Sequence, residues 1–235
     1  MVEICDAALL LRRIPYSDTS LVCHFLTADH GRIAVMARGA RRPKSPFRAS
    51  LEPLYDLQIS WRAGRTGMGT LVDVQRGRSL LSPALSLQGL ELLAMASRLF
   101  QEGDPHGFDE TKAALSLLAE RGLQQGLPAA AWRLLEAAGL LGDLSHCWQC
   151  GRPAEQLMFW QHGRLVCSQC GHGMPVSLGL RKSIVAVMCG GAVRLTAADA
   201  DSWHAMTGQL LIGHGMKVTD SFKRNGEDDK PRCEY

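Results

Sequence analysis

The sequence predicts an α+β multidomain protein: a small N-terminal β-barrel, then an α-helical domain carrying a four-cysteine insert. Three observations predict it. Residues 1–80 hold five short runs of strand character with no helical period. Ser82-Pro83 then opens a stretch of apolar residues at helical spacing. Finally, "CWQC" (Cys147 to Cys150) and "CSQC" (Cys167 to Cys170) interrupt the helical part. The expected boundaries are 1–80 and 81–235, with the insert at about 145–173.

Taken in order, "DAALLLRR" and "LVCHFLTADHGRIAVMARG" supply the first three strands. Asp29-His30-Gly31 reads as the tight connection inside the second segment, with Gly31 free to take positive φ. In "LEPLYDLQISW" the apolar Tyr55, Leu57, Ile59 and Trp61 alternate with Leu54, Asp56, Gln58 and Ser60, the period of a half-buried strand. "GTLVDVQRG" gives the fifth. Helices are expected from Ala84 to Phe100, from Asp109 to Arg121 with a stop at Gly122, and from Pro128 to Ala138. Two more follow the insert, at about Ser177 to Met188 and Ala197 to Ile212. Trp132, Trp203, Met95 and Met188 fall at helical spacing and read as core. The polar end, "FKRNGEDDKPRCEY", is expected to fray.

Composition narrows the class. Hydrophobic residues make up 46% and charged residues 21%, the balance of a globular chain. No run of 18 apolar residues points to a membrane helix. The N-terminus places Glu3 and Asp6 before its apolar run and arginines after it, the wrong order for a secretory signal. An intracellular, reducing setting is expected, where paired cysteines more often hold metal than form disulfides. The net charge of +3 is uneven: residues 1–80 hold 12 Lys/Arg against 7 Asp/Glu, and the remainder 14 against 16. An anionic partner should therefore meet the first third of the chain.

Two cysteine pairs, C-x2-C, separated by sixteen residues match four-thiolate zinc spacing. Each pair can occupy two corners of a tetrahedron from one tight turn, and Gly151 and Gly171 follow the pairs to ease that turn. One structural Zn2+ held by Cys147, Cys150, Cys167 and Cys170 is expected; disulfides and unrelated thiols are the other readings. Four protein ligands leave no place for water, which argues against a catalytic metal. Cys5, Cys23 and Cys189 are expected as small core residues, and Cys233 is isolated.

The other informative stretch is "ARGARRPKSPFR". Between His30 and Glu52 it contributes to six cations and no acid, and it falls between the third and fourth strands. A solvated loop is one reading. The other is a phosphate-tracking surface of Arg38, Arg41, Arg42, Lys44 and Arg48, with Phe47 to stack on a base. "GARRPKS" is not a phosphate loop, because Pro43 stands where the motif needs glycine before the lysine. No G-x-S-x-G, H-E-x-x-H or supported G-x-G-x-x-G occurs, and His24, His30, His106, His204 and His214 read as surface or satisfied histidines.

This order of parts resembles the RecO family of recombination mediators. The segment "LLRRIPYSDTSLVCHFLTADHGRIAVMARGARRPKS" looks like that family's opening, in which Y-x-D/E-x-S (here Tyr16, Asp18 and Ser20) precedes a strand, a glycine turn and a basic segment. The likeness covers residues 1 to about 215. It implies an N-terminal OB-fold and a helical domain with a zinc-finger insert. It implies a non-enzymatic role in DNA repair and recombination: binding single- and double-stranded DNA, annealing complementary strands, and working with RecR to load RecA where single-strand-binding protein coats the DNA. The five basic-loop cations inherit the DNA contact, and Arg12 and Arg13 extend it. The C-terminal tail of single-strand-binding protein would meet the helical domain, with Arg121 or Arg133 as candidate contacts. The implied protein is a monomer alone, acting in the bacterial cytoplasm. Some members of the family lack the cysteines, so the metal is not essential to the activity in general. A zinc-dependent nucleic-acid-processing enzyme and a purely structural zinc scaffold are the competing readings.

Overall fold

The computed structural model describes residues 2–64, 68–104, 106–154 and 157–222. Cys233 and the C-terminal stretch after Phe222 lie outside the described residues. The chain forms two compact units that part between Glu120 and Arg121.

In the first unit, β1 (Glu3–Tyr16), β2 (Ser20–Thr27), β3 (Gly31–Ala37), β4 (Tyr55–Arg62) and β5 (Gly69–Ser79) close a barrel in the order β1-β2-β3-β5-β4. All pairs are antiparallel except β3 with β5. The long β1 serves two partners: Glu3 to Ala8 pair with β4, and Ala8 to Tyr16 pair with β2. A register shift between Leu10 and Arg12 bends it between them. The expected alternation in β4 holds from Leu57 to Ile59 and breaks at Ser60, which is buried next to a register shift; Leu57, Ile59 and Trp61 lie in the barrel core beside Leu10, Phe25 and Val35.

The β2–β3 turn shows why glycine stands at position 31. Gly31 has φ +63, its carbonyl accepts the Thr27 hydroxyl at 2.8 Å, and a Cβ there would collide with the Asp104 backbone. Asp6, buried beneath the turn, accepts the Asp29 amide at 3.0 Å and the His30 Nδ1 at 2.8 Å. Its desolvation is thereby offset by hydrogen bonds.

A one-turn helix, α1 (Phe47–Ser50), lies within the β3–β4 connection. After a 3-10 turn at Pro83–Leu85 come α2 (Ser86–Leu99) and α3 (Phe108–Arg121). Asp109 lies in the first turn of α3 rather than at its cap, and Glu110 accepts the Gly107 amide at 2.8 Å.

The second unit starts with a π-helical turn, Gly122–Gly126, running directly into α4 (Leu127–Ala137). Gly122 ends α3 at φ +66, as expected. A three-stranded antiparallel sheet, β6 (Met158–Gln161), β7 (Arg164–Cys167) and β8 (Met174–Val176), has the order β7-β6-β8. Helices α5 (Leu178–Met188) and α6 (Ala197–Gly213) follow, capped by Ser177 and Thr196 side chains that accept the Leu180 and Asp199 amides.

Three tryptophans make the centre of this core. Trp132 on α4 stacks on Trp160 of β6 at 6.0 Å and meets Trp203 of α6 edge-on at 5.7 Å. Its indole N–H donates to the buried Thr207 hydroxyl at 2.9 Å. The small sheet is thus fastened to the helices by aromatic packing. Arg181, also buried, donates from α5 to the Ala154 carbonyl at 2.6 Å.

Two expectations about cysteine need correction. Cys5 and Cys189 are exposed, and only Cys23 of the three is a core residue. In β1 the side chains around Cys5 alternate, so apolar neighbours in sequence do not enclose it. Among the described residues no helix is long and apolar enough to cross a membrane.

Candidate nucleic-acid interface and metal centre

The basic loop leaves the barrel at the end of β3. Arg38, Arg41, Arg42, Lys44 and Arg48 are all exposed, and among the described residues none forms an ion pair with a carboxylate. The β1–β2 turn holds the loop in place. The Arg41 amide donates to the Thr19 carbonyl at 2.8 Å, its guanidinium donates to the Ser17 carbonyl at 2.9 Å, and the Gly39 amide reaches the Ser20 hydroxyl at 3.4 Å. Ser17 adopts φ 50 to present that carbonyl. Arg41 is therefore partly spent on positioning, while Arg38, Arg42, Lys44 and Arg48 hold no side-chain hydrogen bond among the described residues.

The outward face beneath the loop follows from strand register. Tyr16 pairs with Ser20, and Met36 pairs with both Val22 and Thr70. With Arg38 and Arg42 above them, Tyr16, Ser20, Met36 and Thr70 line a cleft of about 550 Å³. Cations thus rim a concavity at one end of a closed barrel, an arrangement suited to a polyanion carrying flat apolar groups.

Other expected cations divide. Arg12 is exposed and registers with His24 on the outward face. Burial, then the Arg32 and Arg12 guanidiniums, hold the His24 ring below its usual range, with Glu102 acting the other way. Arg13 instead registers with the core residue Cys23, donates to the Leu51 carbonyl at 2.7 Å and pairs with Glu52 at 3.2 Å. These contacts tie β1 to the β3–β4 connection while the side chain itself stays exposed. Arg32 donates to the Ser97 carbonyl at 2.5 Å and is likewise structural. Phe47 is corrected: half-buried against the barrel core, it is not free to stack on a base. On the second unit, Arg121 donates to the Gly191 and Gly190 carbonyls beyond α5, and the exposed Arg133 pairs with Glu136 at 3.5 Å.

The four paired cysteines do come together. Their Sγ atoms all lie within 4.8 Å of one another, and Cys150 and Cys167 are 3.8 Å apart. A metal–sulfur length of about 2.3 Å sets tetrahedral corners about 3.8 Å apart, so the set fits a four-thiolate site consistent with zinc. Each pair sits in a tight turn, closed by the Gly151 amide on the Cys147 carbonyl at 2.9 Å and the Gly171 amide on the Cys167 carbonyl at 3.1 Å. Gly151 needs its φ of +69, whereas a side chain at Gly171 would strike Gln161.

The electrostatics favour a cation there. Burial works to raise the Cys147 thiol, but the amides of Cys150, Cys167 and Gln149 outweigh it and hold it down to about 6. The Cys150 and Cys167 side chains push Cys170 up to about 12. Four thiols this close cannot all ionise unless a cation joins them.

Comparison with known proteins finds family models that match the N-terminal and the C-terminal parts of the chain. The family model "Recombination protein O N terminal" matches residues 1–78, and "Recombination protein O C terminal" matches residues 87–189. The chain is similar to "DNA repair protein RecO" of Proteus mirabilis (strain HI4320), 33% identical over 174 residues, covering 68% of each chain. The protein of that name from Polaromonas naphthalenivorans (strain CJ2) is 36% identical over 146 residues, 59% of this chain and 58% of the relative. The one from Glaesserella parasuis serovar 5 (strain SH0165) is 29% identical over 170 residues, 68% of this chain and 70% of the relative. A closed barrel bearing an exposed basic loop, a helical unit with four clustered cysteines, and matches to both family models lead to one conclusion: the chain belongs to the RecO family of DNA repair proteins.

Proposed function

We propose that this chain is a DNA-binding recombination mediator that anneals complementary strands. In this reading it binds single- and double-stranded DNA and, with RecR, helps RecA onto DNA coated by single-strand-binding protein. Residues 1–80 form the DNA-binding domain, residues 81–235 the helical domain, and the site of action is the bacterial cytoplasm. The observation that carries it is the loop of Arg38, Arg41, Arg42, Lys44 and Arg48, exposed and without a carboxylate partner among the described residues. Such a surface gains affinity by releasing counterions from DNA phosphates.

The four cysteines would hold one zinc ion in a structural role. The ion would cross-link two turns of a segment that can bury little surface alone. The same four thiolates would fill its coordination sphere, which supports a role without catalysis and weighs against a zinc-dependent nuclease or deaminase.

Strand annealing tests the reading. Reversing three charges with Arg41→Glu, Arg42→Glu and Lys44→Glu should cut the annealing rate of complementary oligonucleotides at least tenfold at physiological salt. Unchanged annealing by this variant would overturn it.

A further inference from the structure

We propose that Tyr16 is a base-stacking platform, and that the cleft beside it takes one unstacked base of single-stranded DNA. This rests on the DNA-binding reading above and adds to it a specificity element. Phosphate contacts alone do not distinguish a single strand from a duplex, whereas a slot for a splayed base admits only the former.

Among the described residues lining the cleft Tyr16 is the only aromatic one, and at 57% exposed its ring is accessible to a ligand there. Met36 and Met68 line the same cleft and offer polarizable apolar surface, and Met68 is itself 40% exposed. Thr70 and Ser20 add hydroxyls that can reach the edge of a base. Arg38 and Arg42 line the same cleft and can meet the phosphates on either side of that base. The volume of about 550 Å³ lies within the ~300–1,000 Å³ usual for sites that enclose a small flat ligand.

The arrangement is also built in advance. The segment Tyr16-Ser17-Asp18-Thr19-Ser20 matched a motif whose purpose the sequence left unexplained. The Ser17 and Thr19 carbonyls grip Arg41, and the Ser20 hydroxyl receives the Gly39 amide. The turn that presents the ring therefore also fixes the loop that presents Arg38 and Arg42. The backbone positions that carry the ring and the two arginines are thereby tied together before a ligand arrives, which lowers the ordering cost of binding.

The test compares wild type, Tyr16→Ala and Tyr16→Phe full chains by fluorescence anisotropy. The ligands are a labelled oligo(dT), an abasic oligomer of equal length, and a duplex. Tyr16→Ala should weaken oligo(dT) binding about 5- to 150-fold, the fold-change for losing ~1–3 kcal/mol of stacking on one base. Its salt slope should match wild type, because no charge is removed. Binding to the abasic oligomer and the duplex should stay within about twofold, and Tyr16→Phe should retain oligo(dT) binding. Equal losses on oligo(dT) and the abasic oligomer, or wild-type affinity of Tyr16→Ala for oligo(dT), overturn the stacking role while leaving DNA binding intact. Failure of the wild-type chain to bind any of the three overturns both readings. The exposed ring is outside the core, and coincident thermal melts verify that the variants fold.

Discussion

Removing cations from the β3–β4 loop should change the salt dependence of DNA binding by a countable amount. Arg38, Arg42, Lys44 and Arg48 are exposed with no side-chain hydrogen bond among the described residues, while Arg41 already donates to the Ser17 carbonyl. Each phosphate neutralised on a single strand contributes about −0.7 to the slope of log K against log salt. Four contacts give about −2.8 and five about −3.5, so affinity should fall about 50- to 130-fold between 50 and 200 mM salt. The double substitution Arg42→Ala with Lys44→Ala should flatten the slope by about 1.4. Arg41→Ala should cost more affinity than Arg48→Ala for the same change in slope, since it also releases the loop from the β1–β2 turn. The assay is anisotropy of a labelled oligo(dT) at three or more salt concentrations. A wild-type slope shallower than about −1, or a slope unmoved by the double substitution, would refute the assignment of these side chains to phosphates.

Three other outcomes follow from the geometry. Purified protein should contain close to one equivalent of zinc by metal analysis; Cys147→Ser should lose it, lower Tm and increase protease cleavage between residues 145 and 176, whereas metal retained by a Cys147→Ser, Cys170→Ser double variant would contradict the site. Trp132→Ala should cost about 3–5 kcal/mol in denaturant unfolding, because it empties a fully buried site between Trp160 and Trp203 and leaves the Thr207 hydroxyl without its donor. Burial works to raise the Asp56 carboxyl, but hydrogen bonds from Lys112 at 2.7 Å and Arg78 at 2.9 Å outweigh it and leave it below its ordinary 3.8. A depressed folded-state value means stability present above the unfolded pKa and lost as pH falls through the folded one, so Asp56→Asn should lower Tm at neutral pH and converge on wild type only once the pH has fallen below the depressed folded-state value.

Much of the barrel was legible because a half-buried strand imprints a period of two, as Leu57, Ile59 and Trp61 do. The helices beginning near Ser177 and Ala197 were legible by their extent, although the caps that Ser177 and Thr196 supply were not read, and the metal centre was legible through spacing alone. Strands β6, β7 and β8 were not, since three or four residues are too few for any period to stand out. Within the interface, exposure of the five cations agreed with local polarity, but Arg13 and Phe47 did not reveal their structural contacts. Both depend on neighbours distant in sequence: Arg13 on Leu51 and Glu52, Phe47 on the barrel core. Tyr16 stood out only as part of the Y-x-D/E-x-S segment and its place in a cleft did not, since that cleft joins residues 16 to 20 with residues 36 to 42 and 68 to 70.

The parallel seam has a bearing on how the chain is made. Val35 must find Gly69, and Glu3 must find Arg62, before the barrel can seal. On a ribosome, β1, β2 and β3 can form a hairpin meander early, but β5 is synthesised last and joins both β3 and β4. Until Ser79 has cleared the exit tunnel, the open edge of β3 offers unpaired amides and carbonyls to any neighbouring nascent chain. Ribosome-stalled chains ending shortly before β5 should accordingly be the protease-sensitive, self-associating ones, and release of a few dozen more residues should end that sensitivity in a single step.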